Sequence, residues 1–256
     1  MYNTYKTAWL GKPHLHFEQL SSTNDYLKQH AAALVHGTVV TADCQTAGRG
    51  RAGKAWQNNA RRGLALSVLL RPPSVHHTQL LPLVCALAVK STVSVLCGLS
   101  AGIKWPNDIV LGGKKVCGIL CESVLLGQSV YAVCGIGLNL AQRREEFEAA
   151  ALLHATSLWM ETNKEYPIAD VTAVLLAELE RCYDRFIAEG FDRLLQEYKS
   201  TCITLGREVR VMQNGSIRQG RATGLAPNGA LLVELDGIVT EINAGEASVR
   251  GLYGYV

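Results

Sequence analysis

Apolar runs and their spacing divide the chain into two parts with different patterns. Up to about residue 202, short apolar runs alternate with segments whose hydrophobic positions recur at helical spacing. The predicted strands are 15–20, 38–42, 64–70 and 131–140, and the predicted helices are 79–97, 171–189, one from Ser22 to about Leu34 and one after Gly190 to about Ser200. The helix at 79–97 is largely apolar, which predicts that it is buried. Asp170 is the predicted N-cap of the helix at 171–189.

From Ile203 onward the pattern changes to short β runs. They are separated by three turn signals, Asn214-Gly215, Asn228-Gly229 and Asp236-Gly237. Closely spaced turns of this kind predict a small all-β barrel of about fifty residues. Five arginines balance five acidic residues in this segment, so it carries no net charge and is a poor candidate for nucleic acid binding.

A hairpin is predicted around Gly112-Gly113, which lies between two apolar runs. The predicted register pairs Val110 with Lys115, Asp108 with Cys117 and Asn107 with Gly118. Asp108 and Lys115 then become diagonal neighbours on one face, and they form either an ion pair or part of a site. Gly118 within the strand indicates a close approach of the backbone by a ligand or another chain.

Composition indicates a globular enzyme. The 256 residues are 48% hydrophobic and 18% charged, which suffices for a sizeable core, and the net charge of +3 is too small to indicate nucleic acid. Eight cysteines contain no CxxC pair, so no metal site is predicted. We expect neither a signal peptide nor an apolar run near the ~18 residues of a membrane span. These features predict a cytoplasmic protein without a membrane partner.

The segment from Cys44 to Asn107 contains no acidic residue but eight cations. This pattern indicates either a site for an anionic ligand or a basic face exposed to solvent. Within it, residues 48–56 (GRGRAGKAW) formally match a dinucleotide fingerprint and an incomplete P-loop. Both motifs require a helix that starts inside the loop, whereas a strand follows here, and Ala55 replaces the Ser or Thr of a P-loop. The segment therefore predicts a lid that closes over an anion.

Ser22-Thr23-Asn24 precedes the first predicted helix. These residues favour a helix N-cap, and the same polar groups at a helix N-terminus can bind a polar ligand. The two roles can coexist. Gly135 and Gly137 interrupt a predicted strand, which a bulge or packing explains as well as a ligand does.

The ordered set of motifs resembles the biotin protein ligases, also called biotin–[acetyl-CoA-carboxylase] ligases, over nearly the whole chain. The motifs are residues 22–24 (STN), 45–51 (QTAGRGR), 104–108 (KWPND), 115–120 (KVCGIL), 135–139 (GIGLN) and 155–158 (ATSL), followed by the terminal barrel. The resemblance implies an α+β fold in two domains. Residues 1–202 form a catalytic domain with a central mixed β-sheet backed by helices, as in class II synthetases and biotin–lipoate ligases. Residues 203–256 form a C-terminal SH3-like β-barrel.

The resemblance also implies a two-step reaction, in which biotin and ATP with Mg²⁺ give biotinyl-5′-AMP and the biotinyl group passes to a lysine of biotin carboxyl carrier protein. Ser22, Thr23, Asn24 and Gln45 would hold the ureido end of biotin. Gly118, Gly135 and Gly137 would let strand backbone lie against the ligand, with Trp56 near adenine. The other implied substrate-binding residues are Gly48, Gly50, Lys104, Asn107 and Asn139.

Four residues are the predicted catalytic groups: Arg49, Arg51, Asp108 and Lys115. Two anions must meet in the first step, so preorganised cations are needed: by resemblance Lys115 neutralises their charge, and the two arginines lie on the lid. The lid would exclude water from the reactive mixed anhydride. Asp108 is our own candidate for orienting the acceptor amine. Ala52 and Ala55 replace basic residues of many relatives, which predicts weaker closure of the lid on the adenylate.

Only about twenty residues precede Ser22, too few for a helix-turn-helix domain, so we expect no DNA binding. The enzyme is expected to act as a monomer or homodimer. One alternative is a lipoate or octanoate ligase or transferase, which shares the architecture; the Gly-Arg loop and the barrel favour biotin. The other is a non-catalytic ligand sensor, which the intact Lys115 and loop arginines disfavour.

Overall fold

A seven-stranded mixed sheet forms the centre of the first part of the chain. The computed structural model describes residues 6–56, 62–127, 129–213, 215–244, 248–251 and 255. The strands are β1 (His14–Leu20), β2 (Val39–Gln45), β3 (Gly63–Leu70), β4 (Gly102–Lys104), β5 (Asp108–Leu111), β6 (Lys114–Leu126) and β7 (Ser129–Asn139). Their order is β1-β2-β3-β7-β6-β5-β4, with β1 and β2 parallel and the other neighbours antiparallel. The predicted central mixed sheet is therefore confirmed.

Helices cover both faces of this sheet unequally. They are α1 (Thr23–His30), α2 (Val75–Cys97), α3 (Arg144–Ala149), α4 (Leu158–Thr162), α5 (Ile168–Glu189) and α6 (Phe191–Thr201). The large core packs α2 and α5 against one face, while α1 packs with a smaller apolar cluster on the other. Strand side chains alternate between faces, so every second residue of β6 and β7 points away from α2.

Three helices have different ends from those predicted, and one of them, α2, begins at Val75 rather than at residue 79. Ser22 caps α1 as expected and accepts a hydrogen bond from the amide of Asp25 at 3.3 Å. The helix ends at His30, because the chain turns through residues 31–38 to enter β2 beside β1. Asp170 is not a cap, because Pro167 takes that position and α5 begins at Ile168. Asp170 instead lies in the first turn, where its charge faces the positive end of the helix dipole.

Helix α2 contradicts the expectation that no segment is long and apolar enough to span a membrane. Its 23 residues reach a mean hydropathy of 2.0 over an 18-residue window. Only its length and composition make this helix a candidate for a membrane span. Of the 18-residue window, 56% is buried inside the protein. The helix packs between the sheet and α5, so its apolar surface belongs to the core of this fold.

The C-terminal part forms a second, antiparallel sheet. Its strands are β8 (Glu208–Gln213), β9 (Ser216–Leu225), β10 (Leu231–Leu235), β11 (Ile238–Ile242) and β12 (Ser248–Gly251), in the order β11-β10-β9-β8-β12. Gly229 and Gly237 have positive φ angles at two predicted turns, and Asn214 of the third lies outside the described residues. The indole of Trp105 donates to the carbonyl of Gly229 at 3.0 Å and joins the two sheets.

The β5–β6 hairpin turns at Gly112-Gly113 as predicted. The predicted register is wrong beyond the first pairs. Val110 faces Lys115, and a bulge then shifts the pairing so that Asp108 faces Gly118 rather than Cys117. The extra residue of the bulge lies on β6, and Lys115 and Asp108 form the ion pair that was one of the two predicted alternatives.

Candidate active site

One cleft of about 1660 Å³ collects the predicted site residues. Its walls come from the first sheet, the glycine-arginine loop at 48–56, the segment after β7 and the C-terminal sheet. Every residue predicted to bind or react lines this cleft, except Gly48. Gly48 closes the base of the loop, because its carbonyl accepts from the amide of Trp56 at 2.8 Å.

A connected set of polar side chains, which we call the polar floor, lies where α1 meets the sheet. It consists of Thr23, Asn24, Gln45, Ser67 and Glu122. Ser67 donates to the Asn24 amide oxygen at 2.6 Å and contacts the Thr23 hydroxyl at 2.6 Å, and Gln45 accepts from the Thr23 amide at 2.9 Å. The Asn24 amide nitrogen donates to Glu122 at 2.8 Å. These side chains are oriented before any ligand arrives, as recognition of a polar group requires.

Glycine in β7 makes room for the polar floor. A methyl group at Gly135 would overlap the side-chain amide of Asn24. The group that lies against the backbone of β7 at Gly135 is therefore Asn24, a side chain of the protein itself. Ser22, the remaining predicted member of this group, is buried and uses its hydroxyl as the cap of α1.

The arginine nearest the polar floor is neutralised by acids. Arg49 pairs with Asp25 and lies 3.3 Å from a Glu122 carboxylate oxygen. Burial opposes ionisation of Glu122, but hydrogen bonds from Lys28 and Asn24 outweigh it and lower the pKa of Glu122. In this arrangement Arg49 fixes the loop to α1, so its charge is not free for an anion.

Lys115 and Asp108 form an ion pair at the centre of the cleft. The second carboxylate oxygen of Asp108 accepts from the hydroxyl of Tyr255 at 2.5 Å. Burial raises the pKa of the Tyr255 hydroxyl, and the adjacent Asp108 carboxylate adds to that rise. Asp108 thus contacts Lys115, the cation that the resemblance places where the carboxylate and the phosphate would meet.

Lys104 adds a second ammonium group beside this pair, and unlike Lys115 it is buried. Its side chain is 8% exposed and donates to the carbonyl of Tyr255 at 2.6 Å. Burial lowers the pKa of Lys104 to about 8, with Asp108 opposing the fall and Lys115, Arg250 and Lys54 adding to it. Lys104 is thus influenced by three other cations and only one carboxylate, and such an excess of positive charge attracts a polyanion.

Arg51 joins the loop to both sheets. One guanidinium nitrogen donates to the side-chain oxygen of Asn107 at 2.9 Å, and the other donates to the carbonyl of Ala244. Asn107 is held in turn by the carbonyl of Ile119. Burial lowers the pKa of Arg51. The predicted lid is therefore tied to the C-terminal sheet through this side chain.

The indole of Trp56 lies over the strands that carry two of the predicted glycines. A methyl at Gly137 would overlap the indole, and one at Gly118 would lie 3.0 Å from it. The ammonium of Lys115 is 5.8 Å from the centre of the ring. The loop residue thus covers β6 and β7 directly next to the ion pair.

A short relay of amides follows β7. The backbone carbonyl of Thr156 can only accept, so the side chain of Asn139 donates its nitrogen there at 2.9 Å and turns its oxygen outward. Gln142 must then donate its own nitrogen to Asn139 at 3.3 Å. This leaves the amide oxygen of Gln142, which is 5% exposed, without a hydrogen-bond partner among the described residues. A buried, unsatisfied acceptor costs about 1–3 kcal/mol, so the relay is prepared for a donor from outside the chain.

Four residues of this site were missed from the sequence: Ser67, Glu122, Gln142 and Tyr255. A single serine in an otherwise apolar strand, β3, is a weak signal that Ser67 has a polar partner. Glu122 and Tyr255 gave no local signal, because their partners are distant in sequence, and nothing in the sequence around Gln142 indicated its contact with Asn139.

Comparisons with known proteins agree with this geometry. Residues 16–139 match the biotin/lipoate A/B protein ligase family, and residues 204–250 match the biotin protein ligase C-terminal domain. The bifunctional ligase/repressor BirA of Bacillus subtilis is 32% identical over 244 residues, which cover 94% of this chain and 75% of that protein. The biotin–[acetyl-CoA-carboxylase] ligase of Mycobacterium tuberculosis is 33% identical over 238 residues, which cover 89% of this chain and 85% of that protein.

A solved structure extends the agreement to the whole fold. The biotin protein ligase of Aquifex aeolicus in complex with biotin and ATP superimposes with a TM-score of 0.82 at 31% identity, covering 94% of this chain and 99% of that one. Family matches in both parts of the chain and identities above 30% over most of each relative lead to one conclusion. The chain belongs to the biotin protein ligases of the biotin/lipoate A/B protein ligase family.

Proposed function

We propose that this chain is an ATP-dependent ligase that activates biotin as biotinyl-5′-AMP and transfers it to a specific lysine of a biotin carboxyl carrier protein, as in acetyl-CoA carboxylase. The observation that carries this function is the arrangement of the cleft. A preorganised polar floor and a cluster of cations around Asp108 line the same cleft, with the Lys115–Asp108 pair on β5 and β6. The polar floor suits an uncharged polar group, and the cations around Asp108 suit two anions that react with each other.

We assign the polar floor to the ureido group of biotin. An ureido group offers both N–H donors and a carbonyl acceptor, and the floor presents amides, hydroxyls and a carboxylate. Thr23, Asn24 and Gln45 are the contact residues in this proposal, and Ser67 orients them. Ser22 acts through the helix cap.

The first chemical step joins two anions. An oxygen of the biotin carboxylate attacks the α-phosphorus of ATP, a C–O–P anhydride bond forms, and pyrophosphate leaves with the electrons of the broken P–O bond. Lys115 and Lys104 reduce the repulsion between carboxylate and phosphate, because fixed cations stabilise charge where it develops. Mg²⁺ enters as the counterion of ATP: Asp108 already accepts from Lys115 and Tyr255, so this carboxylate does not suit a resident metal.

The second step transfers the biotinyl group. The ε-amine of the carrier lysine attacks the acyl carbon of the anhydride, an amide forms, AMP leaves, and the amine gives up one proton. Asp108 orients that amine in our proposal, because its carboxylate lies against Lys115 and is the acidic group of the KWPND motif. Arg51 and Trp56 hold the loop over the intermediate and exclude water.

We assign the orphan amide oxygen of Gln142 to the exocyclic amino group of adenine. The relay from Thr156 through Asn139 fixes this oxygen as an acceptor, and the amino group of adenine is a donor. Guanine carries a carbonyl at the corresponding position, which would leave both oxygens unpaired. Gln142 would thus contribute to selection of ATP over GTP.

A single incubation tests the activity. The purified chain is mixed with MgATP, a biotin carboxyl carrier domain and either biotin or lipoate, and intact mass of the carrier is measured. We expect the mass of one biotinyl group with biotin and none with lipoate. Lys115→Gln, which removes the central cation at similar size, should lose the modification, whereas Lys199→Gln, outside the lining of the cleft, should keep it. An unmodified carrier with biotin, or a lipoylated one, would contradict the proposal.

Several further expectations stay predictions. They are the domain boundary between residues 202 and 203, action in the cytoplasm, a monomer or homodimer, and the absence of DNA and membrane partners. The start of the second sheet at Glu208 supports the proposed boundary. The balanced charge of residues 203–256 supports the absence of nucleic acid from that segment.

A further inference from the structure

Three cysteine side chains from three elements meet behind the polar floor. Cys85 lies on α2, Cys121 on β6 and Cys134 on β7, and their sulfur atoms all lie within 4.8 Å of one another. Cys121 and Cys134 are directly opposite across the two strands, so both side chains point to the face that α2 covers. The neighbouring residues of these strands point the other way, toward the polar floor. The proposed ligase reaction uses none of the three thiols.

The cluster is buried but has one member near the surface. Cys85 and Cys134 are 2% and 1% exposed, whereas Cys121 is only partly buried and gives the cluster an outer edge. Hydrogen bonds from the thiols of Cys121 and then Cys134 lower the pKa of Cys85 well below its ordinary value, despite burial. The three sulfur atoms are also close enough to one another to share one ion.

The composition of the cluster restricts the ions that fit it. Its donors are three soft sulfurs, and no fourth histidine, cysteine, aspartate or glutamate ligand joins the group among the residues that the structure describes. Hard cations such as Mg²⁺ and Ca²⁺ require oxygen ligands, and a structural Zn²⁺ site takes four protein ligands. Thiolates select Cu⁺, which is stable with few ligands.

We propose that Cys85, Cys121 and Cys134 form a three-sulfur binding site for Cu⁺. Copper–sulfur bonds form, one proton leaves for each thiol that becomes a thiolate ligand, and neither copper nor sulfur changes oxidation state. The bound ion fixes α2 to β6 and β7. Strand β6 also carries the carbonyl of Leu120 and the carboxylate of Glu122, which hold Asn24, so the ion binds directly behind the polar floor.

The test is an anaerobic titration of the reduced full chain with Cu⁺ against bicinchoninate as a competing chelator. We expect one Cu⁺ per wild-type chain. Cys85→Ala and Cys121→Ala should weaken binding by more than about 100-fold, because even loss of a group behind a metal ligand costs 10–100-fold. Cys182→Ala is the matched control, since Cys182 is equally buried in the same core but lies outside the cluster. It should bind as the wild type does.

Three results would overturn the proposal: no Cu⁺ retained by the wild type, equal loss in Cys182→Ala, or unchanged binding in Cys121→Ala. Circular dichroism checks that each variant folds. If Cys85→Ala does not fold, the wild-type stoichiometry and Cys121→Ala decide, because Cys121 is the least buried member. Cu⁺ should also raise the unfolding temperature of the wild type but not of Cys121→Ala, because a ligand that binds only the folded state stabilises it.

Discussion

Lys104 is placed so that the pH of the solution controls its charge. The free enzyme has a Lys104 pKa of about 8, because burial disfavours the ammonium form. ATP and biotin are anions, so they bind better to the protonated form and raise this pKa again. Full affinity for ATP is therefore present below the pKa of the free enzyme and is lost as the pH rises through it.

We predict that the KM for ATP of the wild type rises above that pKa, by up to roughly tenfold per pH unit if the charge is essential. Lys104→Arg keeps its charge throughout this interval, so its KM should change much less over the same pH interval, whatever its absolute value. The measurement is initial rate against ATP concentration at pH values on both sides of the pKa. A flat wild-type profile, or the same rise in the arginine variant, would exclude Lys104 as the titrating group.

The proposed contact between Gln142 and adenine makes one oxygen atom responsible for nucleotide selectivity. Gln142→Met keeps a similar volume but removes the acceptor, so the KM for ATP should rise by roughly 5- to 150-fold, the equivalent of about 1–3 kcal/mol. Purine ribonucleoside triphosphate lacks the amino group and serves as the matched control ligand. The wild type should discriminate between the two nucleotides, and Gln142→Met should not. Equal discrimination by both proteins would show that the amide oxygen contacts something else.

At the level of elements, β7 shapes the cleft through two glycines, which have no side chain. Gly135 makes space for Asn24, and Gly137 makes space for Trp56, so two alternate positions of one strand serve the two ends of the cleft. Adding a methyl group at either position displaces a different functional side chain. The effects of the two substitutions should therefore separate biotin binding from closure of the loop.

We predict that Gly135→Ala raises the KM for biotin more than that for ATP. The methyl group pushes the Asn24 amide away from Ser67 and Glu122, and such overpacking typically costs 1–3 kcal/mol. Gly137→Ala is the comparison on the same strand, and it should act on release of the adenylate through Trp56. Steady-state kinetics with each substrate varied in turn measure the difference. The same change in both KM values for both variants would indicate a general defect of the sheet.

The sequence predicted most strands, the Ser22 cap and the Gly112-Gly113 turn, because these depend on local patterns and turn chemistry. It did not predict the bulge that places Asp108 opposite Gly118, because a bulge depends on how both strands fit the whole sheet. Likewise, Ser67 and Tyr255 could not be predicted as site residues, because their hydrogen-bond partners are far along the chain. The motifs thus named residues that line one cleft, whereas the contacts between them depend on the tertiary structure.

At the scale of the whole molecule, the glycine-arginine loop connects the two sheets. Arg49 fixes the loop to α1 through Asp25, and Arg51 fixes it to Asn107 and to Ala244 beside the C-terminal sheet. The two arginines belong to one motif but hold different parts of the protein. In the proposed reaction, we therefore expect closure over the intermediate to involve the C-terminal sheet as well as the catalytic one.

The last prediction separates that connection from simple charge. Arg51→Gly should still form biotinyl-AMP but release it at least tenfold faster, because a buried charged hydrogen bond contributes about 1.5–3 kcal/mol. Arg49→Gly removes the same charge from the same loop and leaves the contact with Ala244 intact, so its release rate should change less. Release is measured as the rate at which labelled biotinyl-AMP leaves the enzyme in the absence of carrier. Equal leakage from both variants would mean that the loop holds the adenylate by charge alone, and unchanged release from Arg51→Gly would mean that it is not a lid. Faster release from Arg51→Gly alone would indicate that the contacts of Arg51 with Asn107 and with Ala244 protect the intermediate, since only this variant loses them.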